Sequence, residues 1–283
     1  MQWQTSFHIA HLCIEIRSNT DLCRSEMQSI ISLYEPTTAD APDILFSFEK
    51  HGDTFTLSTD GTILWQSRDS RDFPPALEIH LYRLAVELMA PRLLSLHASA
   101  VSVHDRACIF AGISGAGKSS ICTAALLNGG GYLTDEFTLL DGEGMVHPFP
   151  RPLQWDTAEH PAFTQHDLLN KGLFSNRHYS FPDPDGNIIT SNLWLPARVQ
   201  HQPLQAAWII LPQYDADAPA AELLVLRRSE ALMQLPGHLH RQMPPAASLK
   251  ELNRRIPNTT GFFTLRFSDV HAAWESVSQA ISN

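Results

Sequence analysis

A glycine-rich segment at residues 112–119 constrains this chain more than any other feature. Its sequence, Gly-Ile-Ser-Gly-Ala-Gly-Lys-Ser, matches the phosphate-loop pattern G-x-x-x-x-G-K-S/T at every fixed position. An apolar run at residues 108–111 precedes the segment and predicts a strand, and residues 120–127 predict the helix that follows. We therefore expect a strand–loop–helix unit in which backbone amides and a helix N-terminus surround an anion.

The residue types in this loop suit the phosphates of a nucleotide. Glycines let the backbone turn so that its amides converge on phosphate oxygens. Lys118 is expected to reach the β- and γ-phosphates, and Ser119 is expected to offer its hydroxyl to Mg²⁺. The predicted binding residues of the loop are Gly112, Ser114, Gly115, Ala116, Gly117, Lys118, Ser119 and Ser120.

Charge and composition narrow the partners of such a site. The chain has 283 residues, of which 43% are hydrophobic, and its formal net charge is −10. Of the 20 cationic residues only four are lysines, and Lys118 is one of them. Non-specific nucleic-acid binding needs a basic surface, so an acidic chain is a poor candidate for it. Positive charge for nucleotide phosphates must instead be gathered locally.

Neither the apolar runs nor the first residues indicate a membrane or a secreted location. No apolar run approaches the roughly 18 residues of a membrane span. Residues 1–19 lack a basic region followed by an apolar stretch. The four cysteines form no C-x-x-C pair, which is typical of reduced thiols. We expect a cytoplasmic protein that has no membrane contact.

The pattern divides the chain into a short N-terminal region and a larger domain. Residues 1–75 alternate apolar and polar residues in short runs, with residues 7–16 as the first strand, and predict a small β-rich region. Residues 76–283 mix strand and helix patterns, which predicts an α/β domain with a mixed sheet. Within that domain residues 156–196 predict a long loop or lid. Ser268 is expected to cap the last helix.

Two acids, Asp135 and Glu136, follow the next predicted strand. Asp135 comes 17 residues after Lys118. At the end of a strand beside a phosphate loop, one carboxylate can hold Mg²⁺ and another can orient or deprotonate an attacking hydroxyl. The alternative is an exposed turn that carries two solvated acids. The spacing is far shorter than that of the Mg²⁺-binding acid in most GTPases and transport ATPases.

Two further residues become candidates through their neighbours. If residues 94–103 and 107–111 form a hairpin, His97 comes near residues 112–114. A packed core histidine is the alternative for this position. Arg151 has a proline on each side, and a guanidinium on a stiff chain suits phosphate recognition. A surface arginine in a proline-rich corner is the alternative there.

Three motifs together resemble the catalytic domain of HPr kinase/phosphorylase and its shorter relatives. They are His97-Ala98-Ser99-Ala100, the loop at 112–119, and Leu133-Thr134-Asp135-Glu136. The resemblance covers residues 94–153. It implies a P-loop kinase core related to that of phosphoenolpyruvate carboxykinases, and transfer of phosphate from Mg²⁺-ATP to a Ser hydroxyl of a protein or peptide.

The resemblance also implies roles for individual residues. Asp135 would be the base that takes the Ser proton, and His97 would lie close to the transferred phosphoryl group. Glu136 would support Mg²⁺. For a kinase of this kind, the residues themselves add Lys118 to hold the phosphates, Ser119 to serve Mg²⁺, and Arg151 as an auxiliary cation.

The chain departs from the family at two points. Its second acid is Glu136 where the family usually has Asp, and it contains no Arg-Gly dipeptide, whereas the full enzymes carry an Arg-Gly-x-Gly signature. The chain is therefore more similar to the reduced kinases found beside peptide-tailoring genes, some of which phosphorylate a Ser of a ribosomal peptide precursor. A homo-oligomer stays open. So do a small-molecule kinase of the same fold and a non-catalytic module whose bound nucleotide orders a lid.

Overall fold

The computed structural model describes residues 2–38, 41–154, 160–183 and 185–282. Over these residues the protein is of mixed α/β class, with sheets that combine parallel and antiparallel strands. The chain forms two compact units. The first comprises residues 1–89 and 175–195, and the second comprises residues 90–174 and 196–283.

The described residues contain fifteen strands and seven α-helices. The strands are β1 (Trp3–Ile9), β2 (Leu12–Ser18), β3 (Ile44–His51), β4 (Thr54–Thr59), β5 (Thr62–Ser67), β6 (Leu94–Val103), β7 (Arg106–Ala111), β8 (Gly131–Thr134), β9 (Phe137–Leu140), β10 (Met145–His147), β11 (Phe174–Pro182), β12 (Ile188–Pro196), β13 (Leu204–Tyr214), β14 (Ala221–Val225) and β15 (Gly261–Phe267). The helices are α1 (Arg24–Ile31), α2 (Phe73–Met89), α3 (Lys118–Leu127), α4 (Gln165–Asn170), α5 (Arg228–Gln234), α6 (Pro245–Arg255) and α7 (Val270–Ser282). Two short 3-10 helices cover Ser70–Asp72 and Leu235–His238.

The first unit is built on a five-stranded sheet in which β1 to β5 are neighbours in chain order. β2 and β3 run parallel, and α1 lies between them in the chain, while the other pairs are antiparallel. Phe46, Phe48 and Leu57 on β3 and β4 are fully buried, as the alternation of apolar residues requires. The β-rich character expected for the N-terminal region is thus observed. The unit also includes α2, so it continues beyond residue 75.

The first strand expected at residues 7–16 is in fact two strands, β1 and β2. They form an antiparallel pair in which Ile9 lies opposite Leu12. The chain reverses at Ala10, which has a left-handed φ of 51°. No Gly, Pro, Asn or Asp marks this turn in the sequence. The pattern of apolar residues therefore predicts one continuous strand where the structure has two.

A two-stranded hairpin of β11 and β12 belongs largely to the first unit. The hydroxyl of Tyr179 on this hairpin donates a hydrogen bond of 2.8 Å to the Glu78 carboxylate on α2. The segment 156–196 was expected to be a long loop or lid, but its described part contains α4 and this hairpin. Residues 156–159 and 184 of that segment lie outside the described residues.

An eight-stranded sheet forms the centre of the second unit. Its order is β10-β9-β6-β7-β13-β15-β14. β8 also pairs with β6, on the same edge as β9: β9 pairs with the first half of β6 and β8 with the second half. β7, β13 and β15 are parallel to one another. β10 also pairs with the start of β13, so β6, β7, β9, β10 and β13 close on themselves.

Helices and the strands' own apolar residues bury this sheet. Leu96, Ala98 and Ala100 on β6 are fully buried in a cluster that also contains residues of α5 and α6. α3 packs against β6, β7 and α7, and α7 packs against β14 and β15. The strand–loop–helix unit is therefore held in place by helix packing. Among the described residues, no α-helix combines the length and apolar character that crossing a membrane requires.

The last helix has a different cap from the one expected. The carboxylate of Asp269 accepts hydrogen bonds from the backbone amides of His271 and Ala272 at 2.8 and 3.0 Å. Ser268 instead donates its hydroxyl to the carbonyl oxygen of Pro219 at 3.4 Å. The prediction that Ser268 caps α7 is wrong, because an acid one residue later reaches the free amides and also complements the helix dipole.

Candidate functional site

The phosphate loop has the strand–loop–helix geometry that its sequence predicts. β7 ends at Ala111, and α3 begins at Lys118. Gly117 has a φ of 89°, in the left-handed region. A Cβ at this position would lie only 2.5 Å from the Phe267 ring. Gly117 is therefore required both for the backbone conformation and for the close approach to β15.

Lys118 is a buried cation at the start of α3. It is 6% exposed, and its ammonium donates a hydrogen bond of 2.9 Å to the carbonyl oxygen of Ile113 in the loop. Burial lowers the pKa of Lys118, while the carboxylates of Asp135 and Glu136 act to raise it. The ammonium is thus folded back over the loop, within reach of the site that an anion would occupy.

Asp135 lies between two serine hydroxyls at the break between β8 and β9. Ser99 on β6 donates a hydrogen bond to Asp135 Oδ1. Ser119 in the first turn of α3 donates to Asp135 Oδ2 at 2.8 Å. Asp135 is only 8% exposed. The geometry therefore joins the acid pair directly to the serine of the phosphate loop.

Glu136 pairs with His97 instead. Its Oε2 lies 3.0 Å from His97 Nε2, and its side chain is 38% exposed. Burial acts to raise the pKa of Glu136, but the hydrogen bond and charge of His97, together with Arg151 and Lys118, hold it below its usual value. Glu136 also has a left-handed φ of 80°, a conformation that non-glycine residues adopt mainly where the surroundings enforce it.

The position of His97 follows from the register of the β6–β7 hairpin. Ala98 lies opposite Ala111, so His97 comes beside the first glycine of the loop. This placement is the one the sequence predicts. Two further histidines lie near it. The His240 ring is 5.7 Å from the His97 ring, and burial lowers the pKa of both His238 and His240.

His97, Lys118, Asp135 and Glu136 line one cavity of about 740 Å³, a volume within the usual range of small-molecule sites. The described lining residues belong to the second unit. The residues predicted from the sequence that line it are His97, Ser114, Gly115, Gly117, Lys118, Ser119, Ser120, Asp135, Glu136 and Arg151. Gly112 and Ala116 complete the loop, and a Cβ on Gly112 would lie 2.9 Å from that of Ala116.

Several apolar and aromatic residues of the cavity lining were not predicted from the sequence. They are Tyr214, Phe267, Val270, Pro161 and Ala162. The rings of Tyr214 and Phe267 meet edge to face with centroids 5.7 Å apart. Tyr214 and Phe267 are the last residues of β13 and β15, which run parallel to β7 and to each other, and α/β sheets bind ligands at this edge. The aromatic residue at the end of each of these strands is the sequence signal that could have predicted this part of the lining.

Ser120 connects α3 to the segment that follows residue 159. Its Oγ lies 2.7 Å from His160 Nε2, and His160 Nδ1 accepts a hydrogen bond of 3.1 Å from the amide of Ala162. Because Nδ1 accepts, the proton of the neutral ring is on Nε2, which donates to Ser120. Burial, with a smaller effect from His271, lowers the pKa of His160 to about 4.

The oxygen atoms around the loop suit one kind of metal ion. Within the described residues, no three or more His, Cys, Asp or Glu side chains converge as a metal cluster. Ser119 and Asp135 supply a hydroxyl and a carboxylate. This small set of oxygen ligands fits Mg²⁺, which usually keeps several waters and takes further ligands from nucleotide phosphates.

No protein-family model and no curated protein matches this chain. An interpretation of the cavity therefore depends on its geometry and on the motifs that form it.

Proposed function

We propose that this protein is a P-loop kinase of the HPr kinase/phosphorylase type, which transfers the γ-phosphate of Mg²⁺-ATP to a Ser hydroxyl of a protein or peptide. The observation that carries the proposal is that each of the two acids has its own partner in the site. Asp135 is hydrogen-bonded to Ser119 of the phosphate loop, and Glu136 is paired with His97 in the same cavity. Nucleotide binding alone requires the first pair but not the second.

The loop and its surroundings would bind ATP by charge and shape. Lys118, the loop amides and Arg151 supply positive charge for the phosphates in a chain whose net charge is −10. Tyr214 and Phe267 in the lining offer aromatic surface to a purine base, because aromatic rings stack well on bases. The cavity thus combines charged groups for the phosphates with aromatic surface for the base.

Ser119 and Asp135 are the residues that would hold Mg²⁺. When bound, the ion neutralises charge on the β- and γ-phosphates. Asp135 suits this role because it is buried, is turned toward Ser119, and lies next to the loop. The geometry thus favours Asp135 for the metal, whereas the family resemblance implies Glu136.

Glu136, oriented by His97, is the better placed proton acceptor. Its side chain is more exposed than that of Asp135, and both line the cavity. The pKa of Glu136 lies below its usual value, so the carboxylate is ionised at neutral pH, as a proton acceptor must be. The acceptor oxygen forms the new bond to the γ-phosphorus, the bond from that phosphorus to ADP breaks, and the hydroxyl proton goes to Glu136. Positioning and charge neutralisation supply the catalysis.

Incubation with γ-labelled ATP tests the proposal. The acceptors are Ser-containing peptides encoded by neighbouring genes, and the products are separated by mass spectrometry. We expect label on a peptide Ser with the wild-type protein and with a Glu143→Gln control, whose acid is exposed on a turn. We expect none with Lys118→Ala, because the buried cation is lost. Label on a metabolite would indicate a small-molecule kinase, and ATP bound without turnover would indicate a binding module.

A further inference from the structure

Ser99 is a fully buried polar residue for which the reaction above gives no role. It lies on β6, opposite Phe110 of β7, and is 0% exposed. A hydroxyl in the interior of a sheet is costly unless it has a hydrogen-bond partner. Its partner is the carboxylate of Asp135, at Oδ1. Ser99 is not among the residues that line the cavity.

The two hydroxyls that donate to Asp135 differ in their surroundings. Ser119 lines the cavity and donates to Oδ2 of Asp135, on the side where a cation would be held. Ser99 approaches Oδ1 from within the sheet and acts on the site only through Asp135. A carboxylate held at one oxygen cannot rotate freely, so the direction of its other oxygen is fixed.

We infer that Ser99 is a positioning residue for the metal–nucleotide site. By holding Oδ1 it keeps Oδ2 directed at Ser119 and at the cation that these two side chains would bind. This inference rests on the proposed function, in which Asp135 and Ser119 hold Mg²⁺ with ATP. Hydrogen bonds that orient metal ligands typically change metal affinity by about 10- to 100-fold when they are removed.

The test is the affinity of the Ser99→Ala protein for Mn²⁺, used as a Mg²⁺ substitute, in the presence of a non-hydrolysable ATP analogue. Free Mn²⁺ is measured by electron paramagnetic resonance, and metal-free nucleotide affinity by calorimetry. We expect Mn²⁺ affinity to fall about 10-fold or more. We expect metal-free nucleotide affinity to stay within about 2-fold of the wild type, since Ser99 does not line the cavity.

Two further variants separate orientation from folding. Ser102→Ala removes a half-buried hydroxyl from the same strand and is expected to bind Mn²⁺ like the wild type. Ser99→Thr keeps the donor and is expected to retain most of the affinity. Unchanged Mn²⁺ affinity in Ser99→Ala would overturn the role of Ser99 alone. Wild-type protein that binds Mn²⁺ no better with nucleotide than without it would overturn the proposed function as well.

Discussion

At the scale of single residues, the adjacent acids Asp135 and Glu136 lie in different surroundings. Asp135 is enclosed by two serine hydroxyls, whereas Glu136 meets a histidine at the cavity wall. The sequence predicts that both acids belong to the site, because they follow a strand next to a phosphate loop. The family resemblance assigns the base to Asp135 and Mg²⁺ to Glu136, and the proposed function exchanges these two roles. The sequence pattern could not supply the reason, since their partners Ser99 and His97 come from another strand.

His160 shows how burial sets the charge state of a residue in the site. Its pKa is lowered to about 4, against about 6.5 for an ordinary histidine, so the folded protein binds this proton less well than the unfolded chain. Its stabilising contribution is therefore complete above about pH 6.5 and is lost as the pH falls from there toward 4.

A titration of stability checks this pKa. Between pH 7 and pH 5 the wild type should lose about 1 to 2 kcal/mol more unfolding free energy than His160→Gln, whose side chain does not titrate. Chemical denaturation at each pH measures the difference. Parallel stability profiles for the two proteins would show that His160 is not held neutral by the fold.

At the scale of elements, local sequence patterns predict the strands, turns and helices that neighbouring residues of the chain form together. The β6–β7 hairpin, the phosphate loop and α3 follow directly from periodicity, turn residues and the glycine pattern. The segment 156–196 was harder, because its described hairpin is stabilised by distant partners such as Glu78 on α2. The contact between Tyr214 and Phe267 in the cavity likewise depends on β13 and β15 lying side by side, which no local pattern reveals.

One side chain, that of Asp141, stabilises the turn between β9 and β10. The sequence Asp-Gly-Glu-Gly at residues 141–144 predicts a hairpin turn. In the structure Asp141 Oδ1 accepts hydrogen bonds from the amides of Glu143 and Met145, both at 2.9 Å. Its Oδ2 lies 2.9 Å from His147 Nε2. Burial acts to raise the pKa of Asp141, but these hydrogen bonds lower it overall.

Removing that side chain should weaken the turn. We expect Asp141→Ala to lower the free energy of unfolding by about 1 to 3 kcal/mol, because two backbone amides and His147 lose an ionised partner. Glu143→Ala, at an exposed position of the same turn, is the control and should change stability by less than about 0.5 kcal/mol. Urea denaturation measures both. Equal stability of the two variants would show that the turn forms without Asp141.

At the scale of the whole molecule, the candidate site belongs to one of two units. The described residues that line the cavity belong to the second unit. The chain is acidic overall, but in the cavity the cations Lys118 and Arg151 balance the acids Asp135 and Glu136 in formal charge. In the proposed function these two acids have separate tasks: Asp135 holds the metal ion, and Glu136 accepts the proton.

Matched substitutions of the two acids test that claim most directly. Mn²⁺ affinity with an ATP analogue and the rate of γ-phosphate transfer to peptide are measured for Asp135→Asn and Glu136→Gln. We predict that Asp135→Asn loses metal affinity by about 10-fold or more. Glu136→Gln should bind metal and nucleotide normally but transfer phosphate about 100-fold or more slowly. Wild-type transfer by Glu136→Gln, together with normal metal binding by Asp135→Asn, would contradict the account.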